Sequence, residues 1–151
     1  MKQEHRFTFE HYASLAELSA DDRALVEAAR QATSHAHADY SNFHVGAAAR
    51  LESGRIITGS NQESEVFPAG LCAERTLLFH HQSESPNDRI VDFAIASDPD
   101  LRECYPCGQC RQVLHDVEKR QGRDFRVIMS GGGTATVVKR ASDLLPFLFE
   151  L

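Results

Sequence analysis

Apolar residues recur three or four apart at Leu25, Ala28, Ala29 and Ala32, which gives one face of a helix an apolar stripe. Ser19, followed three residues later by Asp22, has the form of a capping box, so the helix is predicted from there to about Ala36. Two short strand-like runs follow, HVGAAARL and RIITGS, joined by ESG, whose Gly54 suits the positive φ of a hairpin turn. Beyond a loop from Asn61 to Gly70, a second helix is predicted from about Leu71 to Gln82, then a buried strand in RIVDFAIAS. In CGQCRQVLHDVEKR the positions Cys110, Val113, Leu114 and Val117 form the face of a third helix packed on a sheet. FRVIMS and TATVVK read as two further strands turned by Gly131 to Gly133, and a short closing helix is expected to end in LLPFLF.

Strand, strand, helix, strand, helix, strand, strand is the order of an α/β domain, a three-layer α/β/α arrangement around a five-stranded mixed sheet. The chain has 151 residues, 42% of them hydrophobic, enough for one well-buried core and too few for two ordinary domains. We expect an N-terminal arm over residues 1–18 and a single domain over 19–151, with no repeat, linker or low-complexity segment. The glycine run lacks the Lys and Ser/Thr of a phosphate-binding loop and reads as a turn.

Charge narrows the function classes. A net charge of -6 and a pI near 5.7 argue against nucleic acid as a partner, because that affinity rests on basic side chains neutralising phosphates. No apolar run approaches the ~20 residues of a membrane span, and the opening MKQEHRFTFEHY lacks the apolar middle of a signal peptide. No membrane association is expected, and the cytoplasm is the expected compartment. In a reducing compartment cysteines serve as metal ligands or reactive thiols more often than as disulfides, and Cys104, Cys107 and Cys110 fall within seven residues.

Cys72, Cys107 and Cys110 all lie where a loop or strand passes into a predicted helix. Free amides and the helix dipole stabilise thiolates there, the form that zinc requires. Three protein ligands leave the fourth position of a tetrahedral ion open, as catalytic zinc sites do. Glu74, two residues after Cys72, is close enough to reach a water at that position without being a ligand. Two other readings of the cysteines stay open: CGQC as a redox pair, and a closed structural site with Cys104 as fourth ligand. His35 and His37 form an H-x-H pair in a polar stretch, where a solvated pair is the default, and His80 and His81 read as ordinary helix residues.

CAERTLLF followed by PCGQCRQVL resembles the zinc signature of the cytidine deaminase family. YSNFHVGAAARL, GRIITGSNQE, DFAIASD and DLLPFLF extend the likeness to its small, three-cysteine branch, over roughly Ser19 to Phe149. The resemblance implies Zn2+ on Cys72, Cys107 and Cys110, with Glu74 as the proton shuttle and Arg75 donating hydrogen bonds to the zinc thiolates. It also implies a nucleoside substrate: Phe43 lining the base pocket, Asn61 and Glu63 binding the ribose 3'-hydroxyl, and the backbone of Ala73 donating to the pyrimidine carbonyl. Phe149 would reach over the base from a neighbouring subunit of a homotetramer.

The family pattern N-x-E-N-A-x-Y-P is altered here. Asn61 and Glu63 keep their places, but Ser64, Glu65 and Phe67 stand where Asn, Ala and Tyr are usual. Three functions remain distinct possibilities: a cytidine and deoxycytidine deaminase, a deaminase of another aminated nucleoside, base or antibiotic such as blasticidin, and a non-catalytic zinc-binding domain.

Overall fold

The computed structural model describes residues 1–151. Its elements run β1 (Phe9–Tyr12), α1 (Ala20–Ala32), β2 (His44–Leu51), β3 (Ile56–Ser60), α2 (Ala73–Glu84), β4 (Ile90–Asp98), α3 (Gly108–Gln121), β5 (Arg126–Gly131) and β6 (Thr134–Val138). Helix α1 starts where Ser19 Oγ accepts the N–H of Asp22 at 3.1 Å, and one 3-10 turn at Thr33–His35 completes it. Asp22 does not return the bond as a reciprocal cap would; its carboxylate is held by Arg126 at 2.6 Å.

The sheet order is β1-β6-β5-β4-β2-β3. It has six strands, not the five expected. The additional one comes from the N-terminal arm: β1 pairs antiparallel with β6, with Phe9 opposite Val138, and covers what would otherwise be an open edge. The mixed character holds, since β4 and β5 are parallel and the other neighbours antiparallel. Both predicted turns form, Gly54 at φ 87° between β2 and β3, and Gly132 and Gly133 at φ 59° and 81° between β5 and β6. The closing helix does not. One 3-10 turn at Ala141–Leu144 ends in an extended Leu145, because the residue before a proline, here Pro146, is driven out of the helical region.

Alternation along the central strands sorts side chains into two layers. Ala47, Ala49, Phe93 and Ile95 face Leu77, Leu78, Leu114 and Val117 of α2 and α3, whereas Ala48, Ala94 and Ala96 face Leu25, Val26 and Ala29 of α1. The α1 face of the sheet is lined by small residues, and the helix lies close on it. A Cβ at Gly46 would stand 1.9 Å from the carbonyl oxygen of Ala29. On the other face, a Cβ at Gly59 would meet Ala73 O and Leu77 Cβ at 2.8 Å, so glycine lets the start of α2 sit directly against β3.

Topology places the site. β3 and β4 are both antiparallel to β2, so they run in the same direction, and α2 and α3 each begin beyond a carboxyl end of one of them. Both helix N-termini therefore open on the same edge of the sheet, the usual place for a ligand crevice in an α/β fold.

Candidate active site

Cys72 is the N-cap of α2 and Cys107 the N-cap of α3, each in an extended conformation, with Cys110 one turn into α3. The Sγ atoms of the three lie within 4.8 Å of one another, Cys72 to Cys107 at 3.8 Å and Cys107 to Cys110 at 3.5 Å. Sulfurs at the corners of a zinc tetrahedron with Zn–S near 2.3 Å stand about 3.8 Å apart, so the thiols are spaced to hold Zn2+ with little movement. The chemistry of the donors agrees. Cys72 is lowered to about 5, by hydrogen bonds from the Cys110 thiol, from Arg75 and from Cys107. Cys110 is pushed up because it donates to Cys72, is buried and lies near Glu74, so loading the metal must displace its proton. Arg75 Nη2 donates to Cys72 Sγ at 3.6 Å, bringing positive charge to a thiolate-rich centre. Its Nε is buried with no partner.

Glu74 follows Cys72 by two residues and is 3% exposed. Burial pushes its carboxyl up to about 7, the negative charge at Cys72 adds to this, and its own backbone N–H and the Cys110 thiol partly offset it. A carboxyl balanced between its two states near neutrality can both take and give a proton. Cys104 is not in the cluster. It is buried, its thiol is pushed up to about 12 by burial and by the charge of Glu74, and its N–H donates to Ser130 O at 3.1 Å. The histidine pair contributes no ligand, and His37 is exposed beside Asp39.

A cleft of about 510 Å³ reaches Cys72, with Ser41, Asn61, Glu63, Leu71, Cys72 and Arg75 on its walls. Asn61 Oδ1 accepts from Val45 N at 2.7 Å and its Nδ2 donates to Phe43 O at 2.9 Å, tying the end of β3 to the start of β2. Glu63 accepts from the N–H groups of Tyr40 and Ser41 at 2.9 and 3.0 Å, and hydrogen bonds from Ser41 hold its carboxyl below the usual range.

A family model for the cytidine and deoxycytidylate deaminase zinc-binding region matches residues 19–121. The chain belongs to this deaminase family. It is 40% identical over 97 residues to a cytidine deaminase of Halalkalibacterium halodurans, covering 64% of this chain and 72% of that protein. With a probable cytidine deaminase of Dictyostelium discoideum the identity is 36% over 125 residues, covering 83% and 81%. The crystal structure of cytidine deaminase from Burkholderia pseudomallei is 35% identical, with a TM-score of 0.73, covering 83% of this chain and 97% of that one.

Not all residues expected from the family resemblance share the cleft. Ala73, at the first position of α2, is fully buried, in the turn whose amides have no partner within the helix. Phe43 lines a separate hollow of about 680 Å³ with Leu101, Cys104 and Tyr105. Phe149 is 66% exposed and is not on the walls of its own chain's cleft, with its carbonyl accepting from Gln112 at 3.0 Å. In the altered loop Ser64 and Phe67 line the cleft, and the Phe67 ring stands edge-on to Tyr40 at 5.4 Å; Glu65 is exposed. The sequence reading did not single out Tyr40, Ser41 or Gln62. Ser41 lies within YSNF, but nothing local links it to a carboxylate twenty-two positions later.

Proposed function

We propose that the protein is a zinc-dependent hydrolase that deaminates cytidine and deoxycytidine to uridine and deoxyuridine, with Glu74 as its proton carrier. The observation that carries this reading is the buried Glu74 in the first turn of α2, two residues after one of three clustered cysteine thiols. Zinc bound by Cys72, Cys107 and Cys110 supplies Lewis acidity that makes a water easier to deprotonate. Glu74 takes a proton from the attacking water and gives it to ring nitrogen N3. As the new C4–O bond forms, C4 becomes tetrahedral. Glu74 then carries the second proton from the C4 hydroxyl to the exocyclic amine, the C4–N bond breaks, and ammonia leaves with C4 now a carbonyl. Arg75 tempers the negative charge of the thiolates. The backbone N–H of Ala73 orients the pyrimidine carbonyl, Phe43 packs against the base, and Asn61 and Glu63 hold the ribose 3'-hydroxyl.

The reading extends to a cytoplasmic homotetramer in which Phe149 of one subunit covers the base in another. Its exposure, with that of Phe147, supports this, because it leaves both rings free to meet a partner. A blasticidin-S deaminase of Bacillus cereus is 30% identical over 105 residues, below the 33–40% of several cytidine deaminases. The test is ammonia release from the zinc-loaded protein over nucleosides, bases, nucleotides and blasticidin S. Cytidine and deoxycytidine should lead; turnover of blasticidin S alone, or of nothing, would overturn the reading.

A further inference from the structure

Four residues ahead of β2, from Tyr40 to Phe43, are built around one side chain. Ser41 Oγ donates to Glu63 Oε2 at 2.5 Å and accepts from Phe43 N at 3.1 Å, while the backbone N–H groups of Tyr40 and Ser41 both donate to Glu63 Oε1. Asn42 closes the turn with a φ of 55° and an N–H that donates to Ala38 O at 2.8 Å, a left-handed conformation that asparagine adopts more readily than most side-chain-bearing residues. Three donors thus converge on one carboxylate in the wall of the cleft that reaches Cys72. A carboxylate has about four acceptor positions, so three are filled from this turn and about one is left for a donor in the cleft.

We propose that Ser41 is a positioning residue for substrate recognition. Resting on the reading of Glu63 as a ribose contact, Ser41 orients that carboxylate so that its remaining acceptor position meets the sugar 3'-hydroxyl, and it sets the enzyme's discrimination for that hydroxyl. Ser41 itself touches no reacting atom. A serine that merely stabilised the turn would affect all substrates alike.

The experiment compares cytidine with 3'-deoxycytidine on the zinc-loaded enzyme, in wild type, Ser41→Ala, Ser41→Thr, Glu63→Gln and the Ser41→Ala/Glu63→Gln double variant. Removing a hydrogen bond to a charged group should lower kcat/KM for cytidine roughly tenfold, mainly through KM, and change 3'-deoxycytidine by less than about twofold. Ser41→Thr keeps the hydroxyl and should retain the discrimination. In Glu63→Gln the discrimination should already be gone, so adding Ser41→Ala should cost little more. Equal losses on both substrates, or full additivity of the two substitutions, would overturn the role of Ser41. A wild type that turns over both nucleosides equally well would instead remove the reading of Glu63, and this proposal with it. Should Ser41→Ala not fold, a Ser41→Thr variant that loses the discrimination while keeping its thermal midpoint would also overturn it.

Discussion

Replacing Glu74 with Gln keeps the shape of the side chain and removes its ability to ionise, so it separates what this carboxyl does for chemistry from what it costs in stability. In the folded chain Glu74 is raised from an ordinary 4.5 to about 7, chiefly by burial. A rise of that size corresponds to about 3 kcal/mol against the charged form. The direction follows from linkage: a carboxyl raised on folding binds more protons in the native than in the unfolded state, so its ionisation destabilises the fold as pH rises. Below pH 4.5 both states hold the proton and the substitution should matter little. Between 4.5 and about 7 the unfolded chain releases its proton first and wild type loses stability; above 7 the full cost is present. Gln carries no such cost. In zinc-free protein, where no metal ion offsets the carboxylate, Glu74→Gln should therefore melt at the same temperature as wild type at pH 4 and roughly 6–12 °C higher at pH 8. On zinc-loaded protein the same substitution should lower cytidine turnover by at least ~10²-fold, because in the proposed mechanism one group moves both protons. Thermal scans across pH, paired with an ammonia-release assay, test both halves. Residual activity above a tenth of wild type, or a melting difference that does not grow with pH, would refute the reasoning.

Cys104→Ser should leave close to one zinc per chain and turnover within about twofold of wild type, since three thiols already match the ligand number of a catalytic zinc site; loss of metal by elemental analysis would make Cys104 a ligand. Gly46→Ala should cost about 3 kcal/mol or more in denaturant unfolding, because its Cβ would stand 1.9 Å from Ala29 O and α1 cannot yield without opening its core; an unchanged midpoint would mean that α1 does not lie so close. Cytidine should be used about fivefold or more better than its 5'-monophosphate, given the like charge that Glu65 adds to the altered loop, with the gap narrowing in Glu65→Ala. Preference of wild type for the monophosphate would contradict this.

The zinc centre was legible in the sequence because its parts are local. Cys72 and Glu74 share one turn, Cys107 and Cys110 share another, and helix starts announce themselves by the change from loop to periodic apolar residues. The strands from His44 to Val138 and their glycine turns were legible for the same reason, each carrying its own pattern. Tertiary structure alone decided the rest. The four residues of β1 are a strand only because β6, more than a hundred residues later, offers an unpaired edge, and no pattern within FEHY records that. Pro146 cut short a helix that the apolar run LLPFLF suggested. Ser41 and Glu63 meet because the bridge from Asn61 to Phe43 and Val45 folds one loop against the other, and hydrogen bonds of that kind depend on direction and distance to within a few tenths of an ångström. Periodicity shows which face of an element is buried; only the packed fold shows which polar atoms end up opposite one another.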